Sequence, residues 1–249
     1  MKSYQDINKE TIDGWVEEGW EWSKPISHDE YISAKNGDWN VFLTPTVPVP
    51  HEWLGNLNGN KILGLASGGG QQIPIFNALG ADCTVLDNSS KQIESEFLIA
   101  EREGYTIKAI EGDMTKALPF EDEAFDIVFH PVSNCYVEDV QPIFNEVYRV
   151  LKKGGIFLAG LNNEINYIVD NEEKEIIWKM PFNPLKDKTA KDFMIKENAG
   201  MQFSHNMTEQ IGGQLKAGFT LLDIYEDTNG FGRLHELNIK TYIATKSVK

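Results

Sequence analysis

The stretch Ile62-Leu63-Gly64-Leu65-Ala66-Ser67-Gly68-Gly69-Gly70, within a chain of 249 residues, decides the fold. Its first half is a short apolar run, the pattern of a strand buried on both faces. Its second half is a glycine turn. Gln71 to Leu79 then reads as a helix that tolerates Pro74 in its first turn and ends at Gly80. A strand that passes through glycines into a helix brings backbone N–H groups close to a ligand.

The alternation continues outward. Asp82 to Asp87 reads as a second strand. Ser89 with Gln92 forms a capping box, which opens a helix with Ile93, Phe97 and Ala100 inward and Gly104 at its end. Thr106 to Ile110 and Phe125 to Phe129 are the third and fourth strands. Val140, Phe144, Val147 and Leu151 mark another helix, and Gly154-Gly155 turns the chain into a fifth strand, Ile156 to Gly160. Strands alternating with helices predict an α/β, doubly wound, mostly parallel sheet over residues 60–161.

The flanks differ. Residues 1–59 read as an N-terminal helical cap. They hold five of the six tryptophans, Trp15, Trp20, Trp22, Trp39 and Trp53, and Ile12, Trp15, Val16 and Trp20 share one helical face. A second short helix is expected over His28 to Lys35, and Thr44 to Pro50 is an extended connector. Residues 162–205 break the rhythm and carry eight acids and six lysines, the mark of an inserted lid. Residues 206–249 complete the core with a helix over Thr208 to Ala217 and an antiparallel hairpin of Phe219 to Tyr225 and Leu237 to Thr245.

Composition narrows the function. Lys and Arg number 23 against 38 acids, a net charge of −15, so phosphate backbones and anionic lipid are repelled; neither nucleic acid nor membrane is an expected partner. No apolar run is long enough to span a bilayer and no signal peptide is visible. The two cysteines, Cys83 and Cys135, are far apart, which fits a reducing, cytoplasmic location. His28, His51 and His205 share no ligand spacing, so no metal is assigned.

The candidate site grows from the glycine turn. Asp87 lies 19 residues past Gly68, at a strand end, where a carboxylate accepts both hydroxyls of a ribose; the bland alternative is that it only caps the next helix. Glu111-Gly112-Asp113-Met114 closes the third strand. An Asp there accepts from an adenine amino group, and Met covers the ring. A dinucleotide turn needs a third glycine where Ile73 stands, and the Gly-Lys-Ser/Thr of a triphosphate loop is absent. Two acids and a glycine turn therefore suit a cationic, phosphate-free adenosine. After the fourth strand, His130 is either a general base or cofactor contact, with Asn134 orienting an acceptor, or a polar strand end held by backbone bonds. Trp39 and Trp53 either close over the site or pack a cap on the sheet edge.

With Val85-Leu86-Asp87-Asn88-Ser89, Phe125-Asp126-Ile127-Val128 and Tyr148-Arg149-Val150-Leu151-Lys152-Lys153-Gly154-Gly155 in order after the glycine turn, the chain resembles the class I S-adenosylmethionine-dependent methyltransferases of the ubiquinone and menaquinone type, over about Asn60 to Gly160. The resemblance implies a seven-stranded sheet of order 3-2-1-4-5-7-6, with the seventh strand antiparallel. It implies S-adenosylmethionine as cofactor and methyl transfer to a small-molecule acceptor, the alternatives being a protein or RNA acceptor or a non-catalytic cofactor-binding module. Ala66, Ser67, Gly68, Gly70 and Gln71 would line the cofactor's amino acid end. Asp87 would meet its ribose and Asp113 with Met114 its adenine, and Asn88, Gln92, Gly112 and His130 would be further cofactor contacts. The family carries an acid where Gly64 stands and Gly where Ala66 stands, so Ser67, Gln71 or the N-terminal segment would hold the methionine amine.

Overall fold

A computed structural model, which describes residues 2–249, places seven strands in one sheet. They are β1 (Lys61–Leu65), β2 (Asp82–Asp87), β3 (Lys108–Glu111), β4 (Phe125–His130), β5 (Leu151–Asn162), β6 (Thr220–Asp227) and β7 (Tyr242–Val248). Their order is β3-β2-β1-β4-β5-β7-β6, as the resemblance implies. Neighbours are parallel except β7, which runs antiparallel to both β5 and β6.

The period-two pattern of the strands divides the apolar residues between two faces. Ile62 joins Val85 and Phe129 in one core. Leu63 and Leu65 join Leu86 and Val128 in the other. Helices α1 (Tyr4–Glu17), α2 (His28–Lys35) and α3 (His51–Leu54) precede the sheet, and α4 (Gln72–Ala78), α5 (Ser90–Glu103) and α6 (Gln141–Val150) cross between parallel strands. Ile73 and Phe76 of α4 and Ile93 and Ile99 of α5 cover the first face, and Ile143 and Phe144 of α6 cover the second. The chain closes through α7 (Lys188–Lys196), α8 (Met207–Ala217) and the short α9 (Gly232–Glu236). Among the described residues no helix is long and apolar enough to cross a membrane.

Several local expectations are corrected. Helix α1 stops at Glu17, because Gly19 turns the chain at φ 82°; Trp20 still meets Trp15, with ring centroids 5.0 Å apart. The capping box at Ser89 is only half formed. Ser89 Oγ accepts from the Gln92 amide at 3.1 Å, while the Ser89 amide donates to Asp87 Oδ1 at 2.9 Å. Phe97 is exposed, since the buried stripe of α5 runs through Gln92, Glu96 and Ile99. Gly154-Gly155 lies inside β5, where the six residues from Leu151 to Ile156 span what the three from Phe125 to Ile127 cover on β4. A bulge of that size needs the positive φ of Gly154, 76°, which glycine adopts at little cost. Leu237 follows α9, so β7 starts only at Tyr242.

The N-terminal segment and the insertion pack together over the carboxyl ends of the strands. Tyr4 and Ile7 of α1 pack on the insertion's core of Tyr167, Phe182, Met194 and Phe203. Buried Asn8 locks the contact: its Nδ2 donates to the carbonyls of Tyr136 and Met201, both at 3.0 Å. Below this roof the segment around Leu43 crosses β5 so closely that a Cβ on Gly160 would lie 2.0 Å from the Leu43 carbonyl oxygen.

Candidate functional site

The glycine turn is tied down amide by amide. Gly68 N–H donates to Asp87 Oδ2 at 3.0 Å, Gly69 N–H to the Gln92 carbonyl at 3.1 Å, and Gly70 N–H to Glu96 Oε1 at 2.7 Å. Two of these acceptors are carboxylic acids. The loop therefore has no set of free N–H groups for a phosphate, and the Asp87 carboxyl beside it offers no attraction to one. Ala66 sits at φ 49°, which explains why a glycine is favoured at this position. The place of the family acid is filled as well: a Cβ on Gly64 would meet Ile73 Cδ1 at 2.5 Å, so the isoleucine occupies the space an acid would need.

A cavity of about 570 Å³ opens beside this loop, within the range of small-molecule sites. The turn contributes Ala66, Ser67, Gly68 and Gln71 to its wall, the second strand end Asp87, Asn88 and Gln92, and the third Gly112, Asp113 and Met114. Asp87 is buried, and burial pushes its carboxyl up while N–H donors from Ser89 and Gly68 pull it back. Asp113 Oδ1 accepts from the amide and hydroxyl of Thr115, at 2.8 and 2.7 Å. Gln92 Oε1 and Ser67 Oγ are buried and have no partner. A Cβ on Gly68 would lie 2.7 Å from Gln92 Cβ, so only glycine lets the turn lie this close to Gln92 and Asp87. Unpartnered buried polar atoms beside two strand-end acids form a cradle that fits a neutral ribose and base.

Four expected residues lie elsewhere, and Gly70 is spent on Glu96 without reaching the cavity wall. His130 is fully buried under the floor, with Nδ1 donating to the Leu65 carbonyl at 2.8 Å and Nε2 meeting Asn134 Oδ1 at 2.8 Å. Burial lowers its pKa, opposed by the hydrogen bonds to Asn134 and Leu65. Neither His130 nor Asn134 lines the cavity; Pro131, Val132 and Ser133 do. Trp39 stacks on His51 at 3.8 Å between centroids, and Trp53 is buried with Nε1 donating to Asp223 at 2.9 Å, so both serve packing. The cavity's tryptophans are Trp20, Trp22 and Trp178.

The cavity wall also holds residues that the sequence left unassigned: Tyr167, Trp178 and Phe182 from the insertion, Tyr136 after β4 and Tyr242 of β7, with Asn162 among them. Asn162 ends β5, at the carboxyl edge where parallel-sheet sites open, and that rule alone could have singled it out. Asp13 is another such residue. Its carboxylate accepts from Ser89 Oγ at 2.6 Å and from the Lys91 amide at 3.2 Å, docking α1 on the amino end of α5 beside Asp87. Among the described residues no three His, Cys, Asp or Glu side chains converge as a metal site.

Residues 63–159 match the family model described as a methyltransferase domain. Over 251 aligned residues, 97% of each chain, the sequence is 41% identical to the uncharacterized methyltransferase YbaJ of Bacillus subtilis. The geranyl diphosphate C-methyltransferase of Streptomyces coelicolor, solved with Mg²⁺, geranyl diphosphate and S-adenosyl-L-homocysteine, superposes with a TM-score of 0.64 at 14% identity, covering 100% of this chain and 98% of that one. An S-adenosylmethionine-dependent methyltransferase of Mesorhizobium loti gives a TM-score of 0.60 at 19% identity, over 80% and 95% of the two chains. At these identities the two structures speak for the fold.

Proposed function

The chain belongs to the S-adenosylmethionine-dependent methyltransferases, and from that premise we propose that its acceptor is a small molecule enclosed between the strand ends and the aromatic roof. The observation that carries this reading is a single cavity whose wall runs from Asp87 and Asp113 to Tyr167 and Trp178. Cofactor and acceptor can then share one space.

The bound cofactor supplies an electrophilic methyl group on a sulfonium. Asp87 and Asn88 would hold the ribose, Asp113 and Met114 the adenine, and Ser67, Gln71 and Gln92 the amino acid end. Their unpartnered or half-used polar atoms support that assignment. The roof residues would hold the acceptor in line with the breaking bond and keep water out. Alignment of this kind contributes about 7–11 kcal/mol in well-oriented reactions. His130 and Asn134, buried beneath Pro131 to Ser133, would position the floor of the cavity without touching the reacting atoms.

The test is a labelling experiment with the whole protein and methyl-labelled cofactor. A cell extract is split by ultrafiltration into metabolites and macromolecules before incubation. Label is expected in the metabolite fraction. Label confined to the protein or RNA fraction would overturn the reading.

A further inference from the structure

We infer that the acceptor is a small apolar amine that donates a hydrogen bond to Asn162, a reading that rests on the methyl-transfer function proposed above. Three features of the cavity point the same way.

Among the described residues its wall contains no Lys, Arg or His, while Asp87 and Asp113 lie on one side and Asp170, Glu173 and Glu197 on the roof side. An anionic acceptor would lose its hydration against carboxylates with no cation to replace it, an arrangement that strongly disfavours binding. A neutral or cationic acceptor meets no such opposition.

Asn162 fixes the hydrogen-bonding polarity. The Ala199 carbonyl can only accept, and Gln202 Nε2 donates to it at 2.9 Å. Gln202 Oε1 is therefore an acceptor, and Tyr167 Oη donates to it at 3.1 Å. The tyrosine oxygen then receives from Asn162 Nδ2 at 2.6 Å. This directional chain leaves Asn162 Oδ1 as an acceptor, buried and without a partner, on a residue only 4% exposed that lines the cavity. A buried unpartnered acceptor is costly unless a ligand supplies the donor.

The surrounding wall is aromatic, with Tyr136, Trp178, Phe182 and Tyr242 facing the same space. Aromatic faces attract a cation, and the roof acids add to that attraction. An amine satisfies all three features. An acceptor that enters as an ammonium first gives a proton to solvent; the lone pair of the neutral nitrogen then attacks the methyl carbon, forming N–CH₃ as S–CH₃ breaks. The bonding pair stays on sulfur, leaving a thioether. The product nitrogen becomes a cationic ammonium, which leaves as such or releases its proton to solvent. The charge that develops is of the sign this wall favours.

Three indoles of similar size test the inference on the whole protein saturated with S-adenosylhomocysteine: tryptamine, indole-3-ethanol and indole-3-propionate. Calorimetry is expected to give at least tenfold tighter binding for tryptamine than for the other two. Asn162→Leu should weaken tryptamine at least tenfold, and Asn162→Asp, which preserves the shape and adds charge, should tighten it. Both variants should keep S-adenosylhomocysteine affinity, which also reports an intact fold. Equal or better binding of the carboxylate or the alcohol, absence of any preference, or unchanged tryptamine affinity in both variants would overturn the inference. Failure of the unaltered protein to bind S-adenosylhomocysteine would instead bring down the methyl-transfer reading, and this inference with it.

Discussion

Replacing Glu96 by Gln should flatten the pH dependence of stability between about pH 4.5 and 8. Glu96 is fully buried on α5 and its Oε1 accepts the Gly70 N–H at 2.7 Å. Burial pushes its carboxyl up to about 8 from an ordinary 4.5, opposed by the Gly70 N–H and reinforced by the Asp87 carboxylate. The folded chain therefore keeps a proton here at pH values where the unfolded chain has lost it. The sign follows: this site's contribution is fully present below about pH 4.5 and is lost as pH rises through about 8. The slope is about 1.4 kcal/mol per pH unit, or about 5 kcal/mol over the window as an upper bound. The amide of Glu96→Gln keeps the acceptor for Gly70 but cannot ionise. Its NH₂ replaces a buried carboxyl oxygen without a partner, adding a pH-independent cost of about 1–3 kcal/mol. Urea unfolding followed by tryptophan fluorescence at pH 5, 6, 7 and 8 should show the unaltered chain losing stability steadily relative to the variant. Parallel curves would refute the assignment of a buried protonated acid beneath the glycine turn.

Two backbone predictions follow from the same region. Ala66→Gly relieves a φ of 49° and should stabilise the protein by up to about 1 kcal/mol, read as a rise in Tm. A fall in Tm would mean that the lost methyl contact outweighs the strain. Gly160→Ala places a methyl 2.0 Å from the Leu43 carbonyl and should destabilise by about 1–3 kcal/mol, with faster proteolysis of the N-terminal segment. Unchanged protease resistance would show that the crossing can move aside.

The sheet was legible because its strands are buried on both faces and its helices carry clear stop signals, as at Gly80 and Gly104. Pattern therefore carried both the element order and the turn beside Asp87. Where pattern failed, a tertiary contact had overridden it. Phe97 fits the apolar period of α5, yet Glu96 faces inward because the Gly70 N–H lies there to receive it. Gln92 stands at the third residue of its helix as a capping box requires, but Asp87 takes the Ser89 amide first. The acids and glycines near the turn were identifiable because local spacing carries their chemistry. The acceptor side was not, since it is assembled from distant pieces of chain: Asn162 from β5, Trp178 from the insertion, Trp20 from the N-terminal segment and Tyr242 from β7. Trp39 and Trp53 looked equally suitable in sequence, and only their stacking on His51 and bonding to Asp223 removes them.

The most direct test of the central claim is calorimetric titration of S-adenosylhomocysteine into the unaltered protein, Asp87→Ala and Asp113→Ala. Asp113 is the sharper probe, because its Oδ1 serves Thr115 and its Oδ2 is left for a ligand. Loss of a charge-assisted hydrogen bond of about 1.5–3 kcal/mol should weaken binding by about tenfold or more in each variant. No binding by the unaltered protein, or the same affinity in all three, would contradict the account.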